Sequence, residues 1–311
     1  MKKTLLTFLT VALSLSAFAQ TPSPFWSTIQ NTNFTVSAAG IRWVDAVNAN
    51  DVWAVGYDGF APNRNYNWFT RSVNGGALFT SGEIFPGDTN TYVLANLDAI
   101  DANTAWVSSY MKGSQTMGAI HQTTNGGVTW TNMTPVGAYT NTTQSFANIV
   151  CFNTPSVGIT MGDPVGGIFE IWRTTDGGSS WTKIPGSSIP TPTVGEYGTV
   201  NIYTKYGANN IWFGTNKNRV YRSTDAGLTW TVSAALTSTI GAAVGIDDLA
   251  FSDANNGIVT AWFGSPSTLT LWRTPDGGAT FTQIPSIDPN YGRNDVCAIQ
   301  GTICYESCGA A

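Results

Sequence analysis

The chain has 311 residues, a net charge of −5 and only 11% charged side chains, against a usual quarter. Its 14 basic residues form no Lys/Arg cluster, which excludes a surface built to meet the phosphates of nucleic acid or anionic lipid. Twelve Trp, 15 Phe and 11 Tyr are ample for a core, since each aromatic buries on the order of 150–250 Å².

Residues 1–19 read as a cleaved export signal. Lys2 and Lys3 form the positive start, Leu5 to Leu15 the apolar stretch, and Ala17-Phe18-Ala19 the small-residue cleavage site. The apolar run is too short to span a membrane and no other stretch is long enough. No Cys follows the cleavage site, so a lipid anchor is not expected. Residues 20–311 are expected to form one exported domain, secreted or held at the cell surface, and monomeric.

Phe25-Trp26-Ser27-Thr28-Ile29 reads as a lone strand. After it, one pattern recurs. Strand candidates Val44–Val47 and Val52–Val55 lead to SVNGGALF (Ser72–Phe79). Leu97–Ile100 and Ala105–Val107 lead to TTNGGVTW (Thr123–Trp130). The third unit shows all four expected strands: Phe146–Phe152, Val157–Met161, Ile168–Thr174 and Trp181–Ile184, with a loop at 162–167 and TTDGGSSW (Thr174–Trp181) before the last. Val200–Ile202 and Ile211–Phe213 precede STDAGLTW (Ser223–Trp230); Asp248–Phe251 and Gly257–Val259 precede TPDGGATF (Thr274–Phe281). Asp295–Ile299 and Thr302–Tyr305 read as a first and second strand with nothing after them.

The closing aromatics Phe79, Trp130, Trp181, Trp230 and Phe281 are 51, 51, 49 and 51 residues apart. A period near fifty, carried by short polar and β-branched segments, predicts an all-β propeller with one four-stranded blade per repeat. Residues 20–311 hold five to six such units, and a terminal blade shared by both chain ends would close the ring and hide its edges. That sixth blade lacks a third strand, so either it is thin or the chain stops short of the fold's natural end. Cys151, Cys297, Cys304 and Cys308 in an exported chain predict a disulfide near the C-terminus, with three pairings open.

The pattern S/T-x-D/N-x-G-x-T-W/F is the Asp-box, and the chain resembles exported bacterial Asp-box (BNR-type) propellers. It is similar in pattern to photosystem assembly-factor-like and sortilin-like proteins and, more distantly, to sialidases. Met161-Gly162-Asp163-Pro164 with Phe169-Glu170-Ile171 resembles the surface-protein branch of that group. The resemblance implies a C-terminal sorting or anchoring domain; the chain ends at Ala311 without one. The boxes themselves read as structural. Asn74 and Asn125 stand where the other copies carry Asp176, Asp225 and Asp276, and an amide accepts turn hydrogen bonds but cannot act as a carboxylate base. Arg71, Arg173, Arg222 and Arg273 precede the boxes as repeat features.

A second series, Asp45, Asp98, Asn148, Asn201, Asp248 and Asp295, is expected at one place on every first strand. Each would either cap a turn or bond the neighbouring blade, or the series would ring the axis as a polar-ligand or Ca²⁺ site. No other cofactor is expected. Sialidase chemistry needs an arginine triad, and apart from the box arginines only Arg42, Arg64, Arg219 and Arg293 remain. A two-carboxylate glycosidase would draw on Asp163, Glu170 or Glu196. The single His, His121, falls in a slot that Trp172, Tyr221 and Trp272 fill elsewhere. The reading is a binding module for a glycan or an extracellular protein, with Tyr57, Phe60, Tyr66, Trp68 and Tyr197 on its loops; the alternative is a glycoside hydrolase.

Overall fold

A computed structural model describes residues 39–58, 67–85, 91–113, 116–144, 146–285, 295–302 and 305–308. Five four-stranded antiparallel sheets follow one another, each in chain order. They comprise β1–β4 (Ala39–Ala46, Val52–Asp58, Trp68–Ser72, Thr80–Glu83), β5–β8 (Tyr92–Ala99, Ala105–Met111, Thr116–Thr123, Thr131–Asn132) and β9–β12 (Ala147–Phe152, Gly158–Val165, Ile168–Thr174, Thr182–Lys183). Then come β13–β16 (Gly198–Tyr206, Asn210–Thr215, Val220–Ser223, Thr231–Val232) and β17–β20 (Ala243–Phe251, Gly257–Phe263, Thr268–Thr274, Thr282–Ile284). A two-stranded sixth sheet pairs β21 (Asp295–Ala298) with β22 (Tyr305–Cys308). The chain is a β-propeller. Among the described residues there is no α-helix, only a 3-10 turn at Gly186–Ser188. The expected Phe25–Ile29 strand, the export signal, Phe60, Tyr66 and Cys304 lie outside the described residues.

The core lies between blades. Separate apolar clusters join blades one and two around Trp53 and Leu97, two and three around Trp106 and Phe152, three and four around Phe169 and Phe213, and four and five around Trp212 and Phe251. A smaller cluster of Ala250, Ile258 and Val296 joins blade five to β21. This follows from strand alternation: each blade is too thin to cover itself, so its apolar faces pack on its neighbours.

The 162–167 loop expected in blade three is mostly strand. β10 continues to Val165 through a bulge between Gly162 and Pro164, and only Gly166-Gly167 turn the chain. Both glycines have positive φ, which allows a two-residue hairpin in place of the longer loop.

Two ends of the propeller result. At the turn end, the first-to-second-strand turns meet the signature corners: Gly75, Gly126, Gly177, Ala226 and Gly277 donate their amides to Asn50, Asn103, Ser156, Asn209 and Asn255. At the opposite, crossover end lie the blade-to-blade connections and the second-to-third-strand hairpins.

Candidate functional site

The five signature corners share one hydrogen-bond pattern. In blade three the Thr174 hydroxyl donates to Asp176 Oδ1 (2.8 Å) and accepts the Gly178 amide (2.9 Å), while Asp176 Oδ1 accepts the Ser180 amide (2.9 Å). Asn125 does the same for Thr123 and Thr129, and Asn74 for Ser72 and Leu78. Asp225 and Asp276 repeat it with Thr229 and Thr280. The Ser180 hydroxyl and amide hold Asp176 down at about 2. Burial pushes Asp276 up, but the Thr280 hydroxyl and amide bring it to about 2. These carboxylates are spent on turns.

The closing aromatics pack across or along the seams. Trp130 meets Trp53 and Phe69 of blade one at 6.4 and 5.7 Å, Trp181 donates its indole N–H to Met133, and Trp230 lies 5.2 Å from Phe213. Phe79 and Phe281 are half-buried. Gly127 lies so close to the Phe69 ring that any Cβ would strike it, and its φ is +84°; only glycine fits there. His121 pairs with Asn132 as Trp172, Tyr221 and Trp272 pair with Lys183, Val232 and Gln283. It stands edge-on to Phe85 at 4.7 Å, and burial lowers it to about 4.

The expected six-residue ring is three different levels. First strands skip a residue at a matched point: Arg42, Ala95, Asn148, the stretch holding Asn201, and Asp247. Asn148 and Asn201 therefore sit in bulges, Asp45 and Asp98 lie further along the strand, and Asp248 lies between. Spacing along the chain does not count bulges, which is why the sequence aligned them. Asp45, Asp98 and Asp248 each accept an amide of the next blade, from Ala99 (2.6 Å), Phe152 (2.7 Å) and Val296 (2.8 Å). Asn148 instead donates to Asp163 Oδ1 at 2.6 Å. The side chain of Asp295 lies outside the described residues.

An axial cavity of about 1000 Å³ runs from the bulges to the turn end, lined by the first strands of all six blades. Asp45, Asp98, Asn201 and Asp248 line it. On its wall Lys205 Nζ lies 2.7 Å from Asp98 Oδ1 and 2.8 Å from the Phe152 carbonyl, and the Tyr203 hydroxyl donates to the same Asp98 oxygen at 2.7 Å. Burial pushes Lys205 down, but the charge and hydrogen bond of Asp98 together with the neighbouring Asp45 and Cys151 keep the ammonium above its ordinary value. Burial, then the Asp98 charge, raises Asp45 to about 6. Beside this hub Cys151 is a fully buried free thiol. That removes it from the expected disulfide; any bridge involving Cys304 or Cys308 concerns atoms outside the described residues.

At the crossover end the three candidate acids do not pair with one another. Glu196 Oε2 binds Arg219 (2.7 Å) and the Thr193 amide (2.7 Å), and its Oε1 accepts the Thr215 hydroxyl (2.8 Å). Glu170 is buried and accepts the Tyr139 amide and the Trp172 indole. Asp163 joins blades three and four through Asn148 and the Gly198 amide (3.2 Å), and burial raises it to about 6. Tyr197 is 51% exposed beside it, on a crossover whose Val194 is 99% exposed. Trp68 is half-buried at the start of β3. Tyr57 is the last residue but one of β2, opposite Gly40, but its side chain lies outside the described residues. What sequence reasoning missed is the Lys205–Asp98–Tyr203 hub; Lys205 and Tyr203 alternate along β13, but nothing local says they reach past blade three to blade two.

No protein-family model matches the chain, and no curated protein does. Solved structures match by shape. A Hadza microbial sialidase aligns over 84% of this chain and 60% of its own, at 13% identity and a TM-score of 0.54. An ancestral GH74 enzyme aligns over 83% and 32%, at 17% identity and 0.53. YCF48 from Cyanidioschyzon merolae aligns over 79% and 73%, at 17% identity and 0.48. The chain spans about a third of the GH74 enzyme and three fifths of the sialidase. At these identities the likeness is one of fold.

Proposed function

We propose that this propeller is exported and acts, without catalysis, as a binding module for a glycan or an extracellular protein at or outside the cell surface. One observation supports the reading most. Of the three acids that a hydrolase would draw on, Glu196 is saturated by an arginine, an amide and a hydroxyl, and Glu170 serves a backbone amide and an indole. A general acid and its partner need open oxygens facing one bond. Exposed Tyr197 and Val194 on a rigidly mounted crossover suit recognition.

Asp163 favours the second reading, hydrolysis, since a carboxyl raised to about 6 can hold a proton near neutrality. A panel of chromogenic glycosides decides between them. We expect no turnover by the full chain. Turnover that Asp163→Asn abolishes while the fold persists would sink the binding-module reading.

A further inference from the structure

The axial cavity differs from the rest of the molecule in how its polar groups are used. Elsewhere, buried atoms without a partner lie singly in the blades and their seams, among them Arg71 Nε, Trp130 Nε1 and Arg222 Nε. On the cavity wall the Trp43 indole N–H, the Asn201 amide, the Thr204 hydroxyl and the Gln300 amide make no hydrogen bond among the described residues, and all four line the same space. Asn153 adds a buried Oδ1 without a partner, although its Nδ2 is bonded to the Gly207 and Asn210 carbonyls. Of these only the Asn153 oxygen is buried; the other four groups are partly or fully exposed within the cavity and stand open to water or to a ligand.

Asn201 carries a second signal. It sits in the β13 bulge with φ +61°, a left-handed conformation that Asn adopts more readily than most non-glycine residues. Its side chain makes no hydrogen bond among the described residues. Bulges of this kind re-aim side chains beside binding sites.

We propose that the axial cavity binds an uncharged oligosaccharide, entering from the turn end and held by Trp43, Asn201, Thr204, Asn153 and Gln300. This rests on the binding-module reading and names the class of ligand and a site for it. The open groups mix donors with acceptors, and sugar hydroxyls are both at once. They come from blades one, three, four and six, so they encircle the space. That suits a compact ring with hydroxyls around its circumference better than a peptide, whose polar groups alternate along one edge. A volume of about 1000 Å³ lies at the upper end of ordinary ligand sites. Charge sets the selectivity. Asp45, Asp98, Asp101 and Asp248 on the wall outnumber Arg42 and Lys205, so a sialic or uronic acid carboxylate is repelled and a neutral sugar is not.

The test uses the full chain on an array carrying neutral, amino, sulfated, uronic and sialylated oligosaccharides, then calorimetry with the best neutral hit. Asn201→Gly removes the amide and suits the positive φ, so it should weaken binding about tenfold with no loss of thermal stability. Thr204→Val keeps shape and should also weaken it several-fold. Thr131→Ala, exposed on an outer strand, should change nothing. Preference for acidic glycans, affinity indifferent to both variants, or capture of no glycan overturns the proposal. The last result, with a protein captured at the crossover end, leaves the binding-module reading standing; glycoside turnover lost in Asp163→Asn would remove that reading instead.

Discussion

Asp176 and Asn125 occupy one corner geometry because the corner asks only for an acceptor. The hydroxyl two residues earlier gives the opposite test. Thr174 is buried and accepts the Gly178 amide; Thr174→Val keeps the volume and strands that amide. We expect a loss of about 1–3 kcal/mol in urea unfolding, against near-neutrality for Asp176→Asn at pH 7. Asp45 has a different signature. Its folded value, about 6, lies above the ordinary 3.8, so it favours the native state below pH 3.8, and that benefit is lost as pH rises through 6. Asp45→Asn can still accept the Ala99 amide. The variant should therefore be more stable than the parent at pH 8, with the difference gone by pH 4; a difference independent of pH would contradict the assigned cause.

At the scale of the element, the crossover before β13 is held by one buried pair. Glu196 has no exposed side-chain surface and Arg219 has 13%. Arg219→Met leaves a carboxylate buried with only Thr193 and Thr215, which should cost about 3–5 kcal/mol. Adding Glu196→Gln should recover much of it, and a double-mutant cycle reads the coupling directly. First strands show where local reasoning stops. Their existence was legible from Val44–Val47, Leu97–Ile100 and Asp248–Phe251, because alternation and flanking turns are local signals. Their bulges were not, since a skipped residue is visible only against the partner strand. The Asp/Asn series therefore looked equivalent and was not. The open amide of Asn201 is likewise apparent only in the bulge.

Across the whole molecule the box arginines and the second-strand tryptophans staple blades in one direction. Arg71 reaches the Ala102 carbonyl, Arg173 the Ala226 carbonyl (2.8 Å), and Arg222 the Asp276 and Ala254 carbonyls (both 3.1 Å), each in the following blade. Trp53, Trp106 and Trp212 repeat the direction with indole bonds to Asp101, Gly177 and Gly277. Arg222→Met should speed amide exchange at the blade-five corner and leave the blade-two corner unchanged, because its bonds at the turn end reach only the following blade. Equal acceleration at both corners would mean that the seams are not independent.

The repeat period, the four-strand order and the structural character of the Asp/Asn corners were all decided by the sequence alone. Each rests on contacts within a blade, where neighbours in space are neighbours along the chain. Tertiary structure decided the rest: which acids are spent on packing, which levels the first-strand residues occupy, and that Lys205 and Tyr203 cross to Asp98. Those facts depend on how separate blades meet around the axis, and residues that meet there lie fifty or a hundred positions apart, beyond any local pattern.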